Sequence, residues 1–374
     1  MTNSPMSDPR HDRPTPVSSN SDAPADVTPI QVMTGSKSAI FWAGVVFIAG
    51  VALFAVIQVD SWGERANRLP SRFSLDTSEL TSVDAAQVAY KEIAAYPVEM
   101  ETLRAVAAIP DGGFAVVGDV EIQRFDESGR KTQQITTDSP PTCIAFALDA
   151  NLIYVGFAAA VHCYDAGGER RAVFNEGLNE DSMITSLAVF EDNVFVADAG
   201  QRAVLKFDSE GELLLKIDEE KKVEQGLRSF VVPSAHFDVL AADDGVLRVV
   251  NPGARSIEAF TLEGDALGAW GETSSAIEGF FGCCNPVALS MLPDGRFVTA
   301  EKGIPRVKIY DSNGTFESIV APPAAFTNES TAKIEIRDSQ RNGVLDVAVD
   351  RDGRILVLDP NRQTIRVFIE NSHE

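Results

Sequence analysis

The chain has 374 residues, 44% hydrophobic and 23% charged, with 27 Gly, 19 Pro and 4 Cys. At about 100–200 residues per domain, that length admits two or three ordinary domains or one large all-β domain. The composition excludes wholesale disorder and a disulfide scaffold. A net charge of -23 repels phosphate backbones, and no strongly basic patch offsets it, so nucleic acid is not an expected partner.

Residues 1–38 are rich in Pro, Ser, Asp, Asn and Thr and lack periodic apolar positions. Such a segment buries too little to offset its ordering entropy, which predicts a disordered tail. Its charges nearly cancel, so the acidic excess belongs to the rest of the chain. Residues 39–59, AIFWAGVVFIAGVALFAVIQV, carry no charge, and Gln58 alone is strongly polar. About 20 such residues at 1.5 Å rise cross a ~30 Å hydrocarbon layer. The run is long, starts late and is followed by VDSWGERAN, which offers no small-x-small cleavage site. The expectation is an uncleaved single-pass transmembrane helix in the cell membrane. Lys37 on one flank against Arg65, Arg68 and Arg72 on the other favours a cytoplasmic C-terminal domain. A short tail ahead of one apolar segment favours export, and we take the extracytoplasmic face as the expectation. Residues 60–86 read as a linker, helical at most around Asp84–Ala89.

From Leu103 to Phe368 one pattern recurs six times. An alternating apolar strand, a tight Asp/Asn/Gly turn and a second apolar strand precede a third strand that ends in aromatic-Asp-x-x-Gly. Ser186 to Ile217, SLAVFEDNVFVADAGQRAVLKFDSEGELLLKI, shows it most clearly. The first turns are Pro110-Asp111-Gly112, Asp149-Ala150-Asn151, Asp243-Asp244-Gly245, Pro293-Asp294-Gly295 and Arg351-Asp352-Gly353. The second turns follow Phe125-Asp126 with Gly129, Tyr164-Asp165 with Gly167, Phe260 with Gly264, and Tyr310-Asp311 with Gly314. Asp-Gly and Asn tolerate the positive φ that tight hairpins need. Six repeats of about 45 residues have the period of propeller blades. A sandwich of irregular strands does not explain two turn signals in fixed order. The expected fold is therefore an all-β six-bladed propeller over residues 87–374. The sixth repeat has no fourth strand of its own, so Gln87 to Ile93 is expected to complete its sheet and lock the ring.

The third repeat's VADAGQRAVLKFDSEGE resembles the NHL repeat. The fifth repeat is similar at Trp270-Gly271, Gly279-Phe280, Asn285-Pro286 and Ala288 ahead of Pro293-Asp294-Gly295. The likeness spans the six repeats, and it implies a six-bladed propeller in agreement with the count. The fifth repeat also resembles bacterial membrane-anchored NHL-type proteins with a Cys-Cys-Asn-Pro and a Glu-Lys-Gly-x-Pro-Arg-Val-Lys signature. That resemblance implies no reaction.

Unusual chemistry concentrates in this repeat, at Gly282-Cys283-Cys284-Asn285-Pro286 and from Glu301 to Lys308. In a propeller both segments can reach one face. Adjacent Cys283 and Cys284 are open to three roles: structural packing or a vicinal disulfide, ligand or redox chemistry, and soft-metal binding. Cys143 and Cys163 fall on the first and third strands of the second blade and read as buried and reduced. Glu301 matches Asp198 and Asp359, positions that bind loop backbone and neighbouring blades. Lys302, Arg306 and Lys308 read as a cationic patch able to capture a carboxylate or an anionic partner. Cys283, Cys284, Asn285, Glu301, Lys302, Arg306 and Lys308 are thus the candidate ligand-binding residues.

Peptide-amidating lyases share the NHL-type propeller and use a His-ligated metal on its axis. His162 and His236 are scattered through the repeats, and His11 and His373 lie outside them. Gluconolactonase-like propellers hold a metal with Glu, Asn and Asp, and no matching set is visible. No Ser/His/Asp order, phosphate loop or HExxH occurs. The expected function is a membrane-tethered binding scaffold for a protein or anionic small molecule, with no catalytic residue, metal site or cofactor assigned. The alternative is a metal-dependent lyase or hydrolase at the central channel, which would hold Ca²⁺ or Zn²⁺.

Overall fold

The alternating apolar runs of the repeats become four-stranded antiparallel sheets, each too small to bury both of its faces alone. The structure, a computed structural model, describes residues 36–66, 78–147, 151–326 and 344–371. Two units are resolved by their internal contacts, residues 1–75 and 76–374. The tail expected over residues 1–38 lies outside the described residues as far as residue 35.

In the first unit, helix α1 (Ser36–Ala66) contains the whole uncharged run and continues past it. The side chains described in α1 cover residues 39–54 and are exposed, with Phe47 at 72% and Ile48 at 69%. Among the described residues no helix is long and apolar enough to cross a membrane. Those side chains stop short of the end of the uncharged run at Val59.

The second unit opens with α2 (Ser78–Thr81) and a 3₁₀ turn (Ala85–Gln87), whose first turn is capped by the Asp84 carboxylate accepting from Ala86 N–H. Strand β1 (Tyr90–Pro97) follows. Blade 1 is β2 (Leu103–Ala108), β3 (Phe114–Gly118), β4 (Glu121–Phe125) and β5 (Lys131–Thr136). Blade 2 is β6 (Cys143–Phe146), β7 (Leu152–Gly156), β8 (Val161–Asp165) and β9 (Arg170–Phe174). Blade 3 is β10 (Ile184–Phe190), β11 (Asn193–Asp198), β12 (Ala203–Asp208) and β13 (Leu213–Ile217), followed by helix α3 (Glu219–Glu224). Blade 4 is β14 (Val239–Ala241), β15 (Val246–Asn251), β16 (Ser256–Thr261) and β17 (Ala266–Trp270). Blade 5 is β18 (Ala288–Met291), β19 (Phe297–Glu301), β20 (Arg306–Tyr310) and β21 (Phe316–Ala321). Blade 6 is β22 (Asp346–Val349), β23 (Ile355–Asp359) and β24 (Thr364–Glu370), with β1 as its outer strand.

The ring is closed by β1, as the missing strand required, but the pairing segment is displaced. Pairing runs from Tyr90↔Glu370 to Pro97↔Thr364 rather than over residues 87–93. Residues 88 and 89 serve the neighbouring blade instead. Val88 bridges Ile319 of β21, and Ala89 N–H donates to the Ile319 carbonyl (3.1 Å) while its own carbonyl accepts from Asn371 (2.8 Å). The same short stretch therefore stitches blade 5 to blade 6.

Middle strands are covered on both faces by adjacent blades. Every residue of β19, β20 and β23 is buried; β23 accordingly is apolar up to its terminal Asp359, whereas β20 buries Arg306 and Lys308 among its apolar positions. Outer strands such as β5 keep an exposed face. The second turn works through an Asp in blades 1, 2, 3 and 5 and through the Thr261 hydroxyl in blade 4. Asp208 Oδ1 accepts from the N–H groups of Glu210, Gly211 and Glu212, and Asp311 Oδ1 from Asn313 and Thr315. In blade 1, the Ser128 hydroxyl and the Arg130 N–H hold the Asp126 carboxyl down at about 2. In blade 2 the left-handed residue is Gly168 (φ 89), not Gly167, because Gly168 N–H closes the turn onto the Asp165 carbonyl.

These turn glycines also pack beneath the outer strand of the preceding blade. A Cβ on Gly211 would strike Phe174, and one on Gly314 would strike the Trp270 ring. Gly314→Ala combines that clash with a strained φ of 81°, whereas Gly295 has φ 88° and open space around it. Urea denaturation should therefore show Gly314→Ala losing about 3 kcal/mol. Gly295→Ala should lose only about 1 kcal/mol. Equal losses would remove blade packing as the reason for the glycine.

Candidate functional site

The inner strands β2, β6, β10, β14, β18 and β22 line a central channel of about 610 Å³. One level of this wall carries polar side chains that reach across to the next blade. Ser186 Oγ accepts from Val239 N–H (3.3 Å), Asp238 Oδ2 from Leu289 N–H (2.6 Å) and Asp346 Oδ2 from Val106 N–H (2.9 Å). The matching positions in blades 1, 2 and 5 are Ala105, Ile144 and Ala288. Both Asp residues sit deep in the ring, and their half-exposed area faces the channel rather than bulk solvent. Burial pushes the Asp238 carboxyl up to about 6. Burial, and then the negative charge of Asp238, push Asp346 up to about 7.

The start of each inner strand and the end of each second strand meet at one mouth of the channel, because the two strands are antiparallel neighbours. There the two distinctive segments of blade 5 come together. Asn285 holds both main-chain groups of Lys302, its Oδ1 accepting from Lys302 N–H (2.9 Å) and its Nδ2 donating to the Lys302 carbonyl (3.0 Å). Lys302 Nζ donates to Ser234 Oγ (2.9 Å), on the segment that enters blade 4. His236, two residues on, lines the channel, and burial and then the Lys302 charge push its imidazole down to about 4. Cys283 is exposed and Cys284 buried; both are free thiols with their sulfurs 3.3 Å apart. Burial raises the Cys284 thiol, while the Ser234 hydroxyl and the Lys302 charge act in the opposite direction.

Beneath this mouth lies a buried ion cluster. Glu301, at the end of β19, receives Arg306 Nε (2.9 Å) and Nη2 (3.0 Å) in a forked pair, and Lys308 Nζ at 2.7 Å. Lys308 also donates to the carbonyls of Ile277 and Gly279 (both 2.9 Å), and Tyr310 O–H donates to the Glu278 carbonyl (3.0 Å). Lys308 Nζ lies 4.7 Å from the Phe280 ring centre, a cation–π contact. Burial, against the pull of Glu301, drives the Lys308 ammonium down to about 8. The cluster fastens residues 277–280, which lead into the Cys-Cys turn.

The expected cationic surface patch is corrected on this point. Lys302 is partly open, but Arg306 is 1% exposed and Lys308 0%. Both pair with Glu301 and loop carbonyls take remaining donors, so neither faces solvent. Asn285, 3% exposed, is likewise spent on holding the loop. Of the seven candidates, Cys283 is exposed and Lys302 partly open, while Cys284 is buried beside them. The match of Glu301 to Asp198 and Asp359 holds in space: all three end a second strand and are buried. Asp198 Oδ1 accepts from the N–H groups of Met183, Gly200 and Gln201, a loop-binding role.

Cys143 and Cys163 are buried and free on β6 and β8, as expected. His162 on β8 packs against Phe157 (4.3 Å) and shares a hydrogen bond with the Tyr164 hydroxyl (3.3 Å). His11 and His373 lie outside the described residues. Among the described residues, no group of three or more His, Cys, Asp or Glu side chains is placed to hold a metal ion. Sequence reading missed Ser234, Asp238 and Asp346. The two Asp had a signal: 238–245 and 346–353 both read Asp-Val-x-x-x-x-Asp-Gly.

Two outcomes follow from these charges. Glu301→Gln leaves two buried cations short of their counter-charge and should cost about 3–5 kcal/mol in urea denaturation. Asp238 and Asp346 bind protons more readily folded than unfolded, so their contribution to stability falls as pH rises from about 4 through 7. Asp346→Asn, which keeps one acceptor oxygen, should flatten that fall in denaturation midpoints measured from pH 4 to 8. An unchanged slope would mean that Asp346 is not one of the titrating groups.

No family model and no curated protein sequence matches the chain. Among solved structures, a streptogramin B lyase is 13% identical with a TM-score of 0.53, covering 75% of this chain and 98% of its own. The WD40 β-propeller domain of Doa1 is 11% identical with a TM-score of 0.50, covering 76% of this chain and 98% of its own. Likenesses at this identity carry the propeller fold alone, and they agree with the six closed sheets described above.

Proposed function

We propose that the chain is a membrane-tethered NHL-like propeller that binds a protein or anionic small-molecule partner at the channel mouth between blades 4 and 5. The observation that carries this reading is Lys302. Its ammonium is held by Ser234 at the mouth of a channel in a chain of net charge -23. A fixed cation there favours a carboxylate or phosphate group, and Asp238 and Asp346 deeper in the channel oppose its further entry. Exposed Arg104 lines the same channel and adds to the attraction. The uncharged run 39–59 within α1, with its exposed apolar side chains, supports the tether. The propeller lies on the extracytoplasmic face in this reading.

Citrate and inorganic phosphate are suitable probes of the mouth. Citrate should raise the melting temperature of the full chain in detergent, because a ligand at 100 times its Kd adds about 2.7 kcal/mol. Lys302→Glu should abolish the shift. A wild-type chain indifferent to both probes would sink the anion reading. The tether is tested separately, by retention in membranes after an alkaline carbonate wash and by protease access to the propeller in sealed cells.

A second reading, a metal-dependent lyase or hydrolase in the channel, draws on the two channel-facing carboxylates. Stoichiometric Ca²⁺ or Zn²⁺ in the purified chain, lost in Asp346→Asn, would favour it.

A further inference from the structure

The binding reading makes no use of the two thiols at the mouth, yet their arrangement is specific. Their sulfurs stand 3.3 Å apart, close enough to bond after an approach of a little over 1 Å, given an S–S length of about 2.0 Å. One thiol is open to solvent and the other is covered. The turn is fixed downstream by Asn285 on Lys302 and upstream by the ion cluster on residues 277–280. Arg255 Nε also donates to the Gly282 carbonyl (2.7 Å), so blade 4 holds the turn as well.

We propose that Cys283 and Cys284 form a two-electron thiol–disulfide exchange couple, cycling between a dithiol and a vicinal disulfide against low-molecular-weight disulfides. Cys283, the exposed member, gives its proton to solvent and its thiolate attacks one sulfur of R–S–S–R. The R–S–S–R bond breaks, and RS⁻ leaves and takes up a proton from solvent. Cys284 then loses its proton, aided by the Ser234 hydroxyl and the Lys302 ammonium beside it, and attacks Cys283 Sγ. The mixed disulfide breaks and the second RS⁻ departs and is protonated. Two electrons have passed from the protein to the small disulfide, which becomes two RSH.

The division of labour follows from exposure. An attacking thiol must be reached by its substrate, whereas a resolving thiol needs only its neighbour. Adjacent residues keep their Cα atoms about 3.8 Å apart, closer than most disulfides span, so the oxidised pair is readily reduced again. Lys302 is a positioning residue here, acting through its charge on Cys284. This inference stands apart from anion capture, because it concerns bond exchange at sulfur rather than the occupancy of the mouth.

The test uses the full chain in detergent, reduced, desalted and then exposed to glutathione disulfide at neutral pH. Mass analysis should show the peptide carrying both residues losing two hydrogen atoms, with two glutathione thiols released per chain. Cys143 and Cys163, both buried, should stay unreacted and serve as internal controls. Cys284→Ser should stop at a glutathione adduct on Cys283. Cys283→Ser should react about tenfold more slowly or less, since only a covered thiol remains. Lys302→Met should move the pH midpoint of the second step upward. Circular dichroism confirms that each variant is folded. The proposal fails if the wild type accumulates the adduct as Cys284→Ser does, or if its thiols survive while free glutathione exchanges.

Discussion

Each of the six sheets buries its middle strands against its neighbours, so no sheet is stable as drawn unless the ring is complete. Completion depends on the pairing of β1 with β24. That pairing joins the two ends of the propeller sequence, and its loop-closure entropy is the largest in the fold. It is reinforced by charges: Arg366 on β24 pairs with Glu92 on β1 and lies 3.5 Å from the buried Asp359. Five sheets are built from contiguous sequence and can form as the chain emerges, while the sixth waits for β24.

The mouth depends on a second constraint, which is local. Glu301 is buried with Arg306 and Lys308, and burying one carboxylate with two cations is favourable only when spare donors find acceptors. They find them in the carbonyls of Ile277 and Gly279. The ion cluster is therefore also a loop anchor, and the loop it anchors presents Cys283 and Cys284. Exchange of Glu301 for the Asp of blades 3 and 6 would shorten the reach to both cations. The longer acid and Arg306 directly opposite it are what distinguish blade 5 from blades 3 and 6, where Ala203 and Thr364 stand at that register and Arg366 already matches Lys308.

Much of this architecture was legible because turn chemistry is local. Asp-Gly pairs and the Asp-x-x-Gly signal mark hairpins whatever surrounds them, which is why six blades could be counted. The closing strand was legible as a need but not in its register. An edge strand's pairing is set by its partner, and residues 88 and 89 turned out to serve blade 5. Arg306 and Lys308 misled in the opposite way. Their residue type speaks for solvent, and the groups that bury them come from a segment some 30 residues away in sequence. Asp238 and Asp346 were hidden by their neighbours, since an acid opening an apolar strand looks like an ordinary strand end. Only the repeated Asp-Val-x-x-x-x-Asp-Gly frame separates them from the other acids.

The polar level of the channel wall makes the joints between blades unequal. Ser186, Asp238 and Asp346 hydrogen-bond across the boundaries 3–4, 4–5 and 6–1. Ala105, Ile144 and Ala288 leave the boundaries 1–2, 2–3 and 5–6 to apolar contact at that height. A barrel of identical staves would yield anywhere under strain. This one is riveted along its bore at three seams only, and the 5–6 seam is fastened farther out instead, by residues 88 and 89 and by Arg296 on Glu370.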